Sequence, residues 1–120
     1  MTSSPLIVLV VEDEPLVRMY AVDIAESVGL AVIEAPNADK AMEVLNDRSD
    51  VSFLFTDIDM PGSMNGLQLA TLVAERWPQM SIVVTSGHVR IGDQELPPRS
   101  RFIAKPYDEH ELEEALGLGK

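Results

Sequence analysis

The sequence predicts an α/β domain built on a doubly wound, five-stranded parallel sheet. Three observations lead there. Short apolar runs alternate with longer amphipathic segments along the 120 residues, the pattern of strands joined by crossover helices. The short runs are mostly β-branched or aromatic and apolar on both faces, as strands covered by helices on each side should be. The length is that of one domain, enough to bury a core.

The first strand is expected over Leu6–Val11, where an apolar run stops at the acids Glu12, Asp13 and Glu14. Pro15 suits the first position of a helix, and Leu16, Val17, Tyr20, Ile24 and Val28 recur at helical spacing until Gly29 ends the segment. A second strand covers Ala31–Glu34, and Asn37 can cap a helix carrying Ala41, Met42, Val44 and Leu45. The third strand, Phe53–Thr56, runs into Asp57-Ile58-Asp59 and breaks at Pro61-Gly62. A third helix runs from about Gly66 through Leu69, Ala70 and Val73 to Trp77, where Pro78 stops it. The fourth and fifth strands are Ile82–Thr85 and Phe102–Ala104. The link between them, SGHVRIGDQELPPRSR, is too rich in Gly and Pro for a regular helix, so a short or irregular fourth helix is expected. Asp108 with Glu111 forms a capping box before Leu112, Ala115 and Leu116, the apolar face of a last helix. Five of the six methionines, Met19, Met42, Met60, Met64 and Met80, read as core filler or loop contacts.

Composition excludes several functions. A net charge of −11 argues against direct binding to nucleic acid or an anionic membrane surface, both of which reward Lys and Arg. No cysteine is present, so thiol chemistry and cysteine-ligated metals are out. The apolar run near the start is six residues, lacks a basic flank and ends in acids, so neither a secretory core nor a membrane span is expected, and the cytoplasm is the default compartment. One domain filling residues 1–120 leaves no room for an output module in this chain.

Two acids at the end of a buried strand need a cause, because carboxylates resist burial unless they are paired or bound to a cation. In a doubly wound sheet of the flavodoxin-like order 2-1-3-4-5, ligands bind beyond the carboxyl ends of strands 1 and 3. Those ends carry Glu12-Asp13-Glu14 and Asp57-Ile58-Asp59, so two acidic clusters remote in sequence would share one crevice. Crowded carboxylates raise one another's pKa and are stable as anions when a cation sits among them; oxygen ligands in a small pocket favour Mg²⁺ or Mn²⁺. Thr85 and Lys105 stand at strand ends on the same side, adding a hydroxyl and an ammonium to a set of parts fit for phosphoryl transfer. Glu14 reads as a solvated acid at a helix start, and His88 and His110 as surface residues.

At this point the chain resembles a known family, the receiver (CheY-like) domain of two-component response regulators. The likeness covers essentially the whole chain and rests on VVEDE, TDIDMPG, VVTSG and FIAKPY, in the family's order and approximate spacing. The resemblance implies that Asp57 is the phosphoacceptor, that Asp13 ligates Mg²⁺ (or Mn²⁺) directly and Glu12 through water, and that the backbone carbonyl of Asp59 completes the metal sphere. It further implies that Thr85 hydrogen-bonds the phosphoryl group, that Lys105 pairs with a phosphoryl oxygen, that Phe102 is the switch aromatic, and that Lys105–Pro106 is a cis peptide. The implied function is phosphorelay signal transduction by a phosphoprotein. Asp57 takes a phosphoryl group from a phosphohistidine on a sensor or hybrid histidine kinase or a histidine phosphotransfer protein, and the aspartyl phosphate switches a downstream protein partner. The chain would be a signalling module catalysing only its own phosphorylation and dephosphorylation, monomeric or dimerising on phosphorylation.

The sequence departs from the family pattern in three places. PGSMNG puts one residue more between Asp57 and Gly66 than the commonest spacing. Asp59 adds an anion where other members often carry a neutral side chain; it and Gly87 occupy positions known in the family to tune dephosphorylation. The Gly/Pro-rich link replaces the usual fourth helix. Two other functions stay in view. A receiver-like adaptor would bind partners without phosphorylation, but the set Asp13, Asp57, Thr85 and Lys105 is complete. A haloacid-dehalogenase-like phosphatase shares the D-x-D of DIDMP but carries it on the first strand and needs further acids downstream.

Overall fold

The computed structural model describes residues 5–88 and 96–117. Its elements in chain order are β1 (Ile7–Val11), α1 (Pro15–Ser27), β2 (Ala31–Ala35), α2 (Ala38–Asp47), β3 (Phe53–Asp57), α3 (Gly66–Arg76), β4 (Ser81–Ser86), β5 (Ser100–Ala104) and α4 (Glu109–Ala115). The strands form one parallel sheet in the order β2-β1-β3-β4-β5, so the predicted fold class and strand order hold.

Strand alternation sorts the interior into two halves. Leu9, Val11, Leu54, Ile82 and Val84 pack with Ala38, Ala41 and Leu45 of α2 and Leu69, Ala70 and Val73 of α3. On the opposite face, Val8, Val10, Phe53, Phe55 and Val83 meet Ala21, Ile24 and Ala25 of α1 and Leu112 of α4. Both faces of the central strands are therefore dry, and β1, β3 and β4 are buried at nearly every position.

Strand ends differ from the sequence reading by about one residue: Leu6 lies outside β1, while β4 and β5 begin earlier and β2, β3 and β4 run one residue further. The expectation of strands apolar on both faces holds in the centre and fails at the edges, where Glu34 in β2 and Arg101 in β5 are exposed. Charged residues on edge strands oppose pairing with another sheet. The apolar stripe read for the first helix is corrected too. Ile24 is buried and Val28 packs against the core as expected, but Leu16 and Tyr20 are 76% and 47% exposed, and Ala21 and Ala25 complete the face turned to the sheet. Two alanines let the helix lie close to the strands, which turns the larger residues of the neighbouring row toward solvent. Met19 is likewise exposed rather than core or loop filler, whereas Met60 and Met80 are buried and Met42 and Met64 pack against the core.

Caps follow the sequence. Asn37 accepts from the Lys40 N–H, and Asp108 and Glu111 form the expected capping box. A second capping box at α3 pairs Asn65 with Gln68, each side chain accepting from the other's backbone N–H at 2.9 Å. Asn65→Ala is expected to cost about 1 kcal/mol, read from urea denaturation, and an unchanged midpoint would show the box to be dispensable. The irregular fourth helix expected between the fourth and fifth strands falls largely on residues 89–95, outside the described residues. The Lys105–Pro106 peptide is cis. Among the described residues no helix is long and apolar enough to cross a membrane.

Candidate functional site

The candidate site lies at the carboxyl ends of β1, β3, β4 and β5. Asp57 closes β3 and stands in register with Thr85 on β4, while Thr85 pairs with Ile103, two residues before Lys105. Asp57 shares the strand face of Phe53 and Phe55, Thr85 that of Val83, and Lys105 that of Ile103, so all three belong to the side covered by α1 and α4.

Lys105 is the centre of charge. Its Nζ lies 3.0 Å from Glu12 Oε1 and 3.3 Å from Asp57 Oδ2, with Glu12 and Asp57 each 4% exposed. Burial pushes the Asp57 carboxyl above its ordinary range, against the opposing charge of Lys105 and the Asp59 N–H, which donates to Asp57 Oδ1 at 3.3 Å. Burial likewise raises Glu12, although the Glu14 N–H and Lys105 both favour its anion. For Lys105, burial alone would lower the ammonium; the hydrogen bond to Glu12 and the charges of Asp57 and Glu12 outweigh it and hold the value above that of an ordinary lysine.

Glu12, Asp13 and Asp57 each offer a carboxylate oxygen, and the three lie within 4.8 Å of one another. One ammonium among three acids leaves negative charge in a confined pocket, which suits a hard divalent cation with oxygen ligands. Asp13 is partly exposed, whereas both Glu12 oxygens already accept hydrogen bonds, Oε1 from Lys105 and Oε2 from the Glu14 N–H. Thr85 is 2% exposed, and its Oγ1 has no hydrogen-bond partner among the described residues. A buried hydroxyl without a partner costs about 1–3 kcal/mol, so this donor beside Asp57 fits an arriving acceptor oxygen.

Other residues read from the sequence fall as follows. Phe102 is half-buried on the opposite sheet face, packed against the α2/α3 core. The Asp59 side chain is pinned: the buried Ser86 hydroxyl donates to its Oδ2 at 2.5 Å, and His88 Nδ1 lies 3.5 Å from the same oxygen. His88 and His110 are exposed, as expected. Glu14 is the N-cap residue of α1 and is exposed. The long loop after β3 is held inward by Met60 and Met64 and tied outward by Ser63 Oγ donating to Asp39 Oδ1 at 2.7 Å.

Sequence reasoning missed four contributors. Arg18 Nη1 donates to the Glu12 carbonyl at 2.7 Å, and its Nε lies 3.0 Å from Glu34 Oε1. Ser86 holds Asp59. Tyr107 packs edge-on to Phe55 and tilted on Tyr20, whose hydroxyl donates to the Tyr107 carbonyl at 2.7 Å. In the sequence Gly66 marks only a helix start, yet a Cβ there would sit 1.8 Å from the Asp57 carbonyl oxygen. A signal was available for Gly66 alone, since glycine is a poor helix former and its use at a helix start hints at close approach.

A parallel five-stranded sheet with acids at the carboxyl ends of strands 1 and 3, a threonine on strand 4 and a lysine just past strand 5 defines the class of doubly wound receiver modules. The family model described as "Response regulator receiver domain" matches residues 8–117, and the chain belongs to that family. It is a receiver domain of two-component signalling. It is similar to the response regulator receiver protein CpdR of Brucella abortus, 30% identical over 108 residues that cover 88% of each chain. It also resembles the sensor protein TorS of Escherichia coli, 27% identical over 81 residues, 68% of this chain and 9% of that much longer protein. Among solved structures, a response regulator receiver protein from Sinorhizobium medicae superposes with a TM-score of 0.87 at 25% identity, covering 95% of this chain and 93% of that one.

Proposed function

We propose that Asp57 accepts a phosphoryl group from a phosphohistidine on a sensor or hybrid histidine kinase or a histidine phosphotransfer protein. The observation that carries this reading is the row formed by Asp57, Thr85 and Lys105, with a buried Thr85 hydroxyl that has no partner among the described residues beside a carboxylate and an ammonium. An Asp57 carboxylate oxygen attacks the phosphorus, the P–N bond to the donor imidazole breaks, and its electron pair returns to the ring. Lys105 is placed to neutralise a phosphoryl oxygen and Thr85 to donate to another.

A divalent cation, Mg²⁺ or Mn²⁺, would be held by Asp13, Asp57 and the Asp59 carbonyl, with Glu12 acting through water. When bound it supplies neutralisation of the charge shared by phosphoryl and carboxylates. The phosphoryl group then adds negative charge that draws Thr85 inward and lets Phe102 repack, altering the distal surface that a downstream protein reads. Hydrolysis of the acyl phosphate resets the site. The donor reaches Asp57 past an apolar rim, a groove of about 480 Å³ lined by Leu16, Val17, Tyr20, Lys105, Pro106 and Tyr107. Its exposed Leu16 and Tyr20 give a helical partner something to pack on.

Incubation with Mg²⁺ and a phosphohistidine donor or acetyl phosphate is expected to add one phosphoryl mass to the wild type, none to Asp57→Asn, and none in EDTA. Failure of the wild type to label with every donor would overturn the reading and leave a phosphorylation-independent adaptor.

A further inference from the structure

We infer that Arg18 is a positioning residue for the divalent-cation site: its guanidinium sets the turn that carries Glu12 and Asp13. The inference rests on the cation reading above. Residues 12–14 are a short span between β1 and α1, and their acids are useful only if the backbone presents them toward Asp57 and Lys105. Arg18 sits one turn into α1, where its backbone N–H donates to the Glu14 carbonyl at 2.8 Å. Its side chain reaches back so that Nη1 donates to the Glu12 carbonyl at 2.7 Å, while Nε lies 3.0 Å from Glu34 Oε1 on β2. The Glu12 N–H in turn donates to the Ala35 carbonyl at 3.1 Å. Glu12 is thus gripped on one side by β2 and on the other by a guanidinium itself anchored on β2, before its carboxylate meets Lys105.

The planar fork of arginine makes this possible. Two donors at fixed separation bridge a backbone carbonyl and a carboxylate, which a single ammonium on a flexible stem does poorly. The side chain is 21% exposed, so these bonds are partly shielded from water.

Positioning and simple charge predict opposite results. Arg18 is a cation hydrogen-bonded to the residue that carries one of the acids, so by Coulomb's law alone its removal should tighten binding of a second cation. Removal of a positioning group should weaken it, as loss of groups that orient metal ligands does, by about tenfold. Mg²⁺ binding by calorimetry to the wild type, Arg18→Ala, Arg18→Lys and Glu34→Gln distinguishes these, with thermal midpoints measured alongside. The expected result is weaker Mg²⁺ binding by about tenfold in Arg18→Ala, a similar loss in Arg18→Lys despite its retained charge, and a smaller loss in Glu34→Gln. Unchanged or tighter binding in Arg18→Ala and Arg18→Lys, whatever their thermal midpoints, would overturn the inference. Absence of Mg²⁺ binding in the wild type would instead overturn the cation reading beneath it. Should Arg18→Ala fail to fold, Arg18→Lys carries the test alone.

Discussion

Gly66→Ala is expected to destabilise the protein by roughly 3 kcal/mol and to disturb Asp57 itself. The start of α3 lies directly on the backbone of β3's end: the Gly66 N–H donates to the Ile58 carbonyl at 3.1 Å, and an added Cβ would stand 1.8 Å from the Asp57 carbonyl oxygen, 2.6 Å from its carbon and 2.9 Å from Ile58 Cα. Those are backbone atoms, which cannot swing aside like the end of a flexible side chain. Relief requires α3 to lift from the sheet or Asp57 to shift, and the second would spoil its alignment with Lys105. Urea denaturation reads the first and acetyl phosphate labelling the second. Gly87→Ala is the control, because a Cβ there meets Lys105 Cβ at 3.7 Å and Cδ at 3.9 Å, ordinary contact, and its cost should stay within about 0.5 kcal/mol. Equal stability of the two alanine variants would refute the steric account.

Lys105→Met should cost about 2 kcal/mol in metal-free buffer near neutral pH, with the deficit shrinking toward about pH 4. The sign follows from the directions of the shifts. Glu12 and Asp57 are raised in the folded protein, so between their ordinary values and the raised ones the folded state holds more protons than the unfolded chain. Stability therefore falls as pH climbs through that interval and stays lower above it. Lys105 is raised as well, so its stabilising contribution is fully present below its ordinary value of 10.5 and is lost only as pH rises through the folded one. At neutral pH the wild type still has the ammonium between the two carboxylates. Without it both acids climb further and the decline with pH steepens. Added Mg²⁺ should bind the variant more tightly, since the pocket is more negative. A deficit independent of pH would show that Lys105 acts through packing rather than charge.

Much of the fold and the row of site residues were legible because they depend on strand ends. Asp57, Thr85 and Lys105 each follow an apolar run, and parallel strands bring such positions to one edge. The capped helices were legible for the same local reason, as Asn37 and Asp108 show. What escaped is made of contacts between a side chain and something distant in sequence. Arg18 reaching the Glu12 carbonyl, Ser86 reaching Asp59 across 27 positions, and Tyr20 reaching the Tyr107 carbonyl leave no periodic trace. Leu16 and Tyr20 misled for a different reason: helical spacing marks a stripe, but the alanines beside it decided which row touches the sheet.

The alternation that divides the core has a further consequence for heredity and engineering. Asp57, Thr85 and Lys105 occupy the last tier of one face, so their chemistry is a matter of parity. A slip of one residue in β4 would present Val84 or Ser86 where Thr85 now stands, and a slip in β5 would exchange Lys105 for a neighbour, even with every hydrogen bond of the ladder restored. Single-residue insertions or deletions inside these strands should therefore take Asp57, Thr85 or Lys105 out of the row, whereas a change of length in the loop after β3 leaves unaltered which side of each strand faces in.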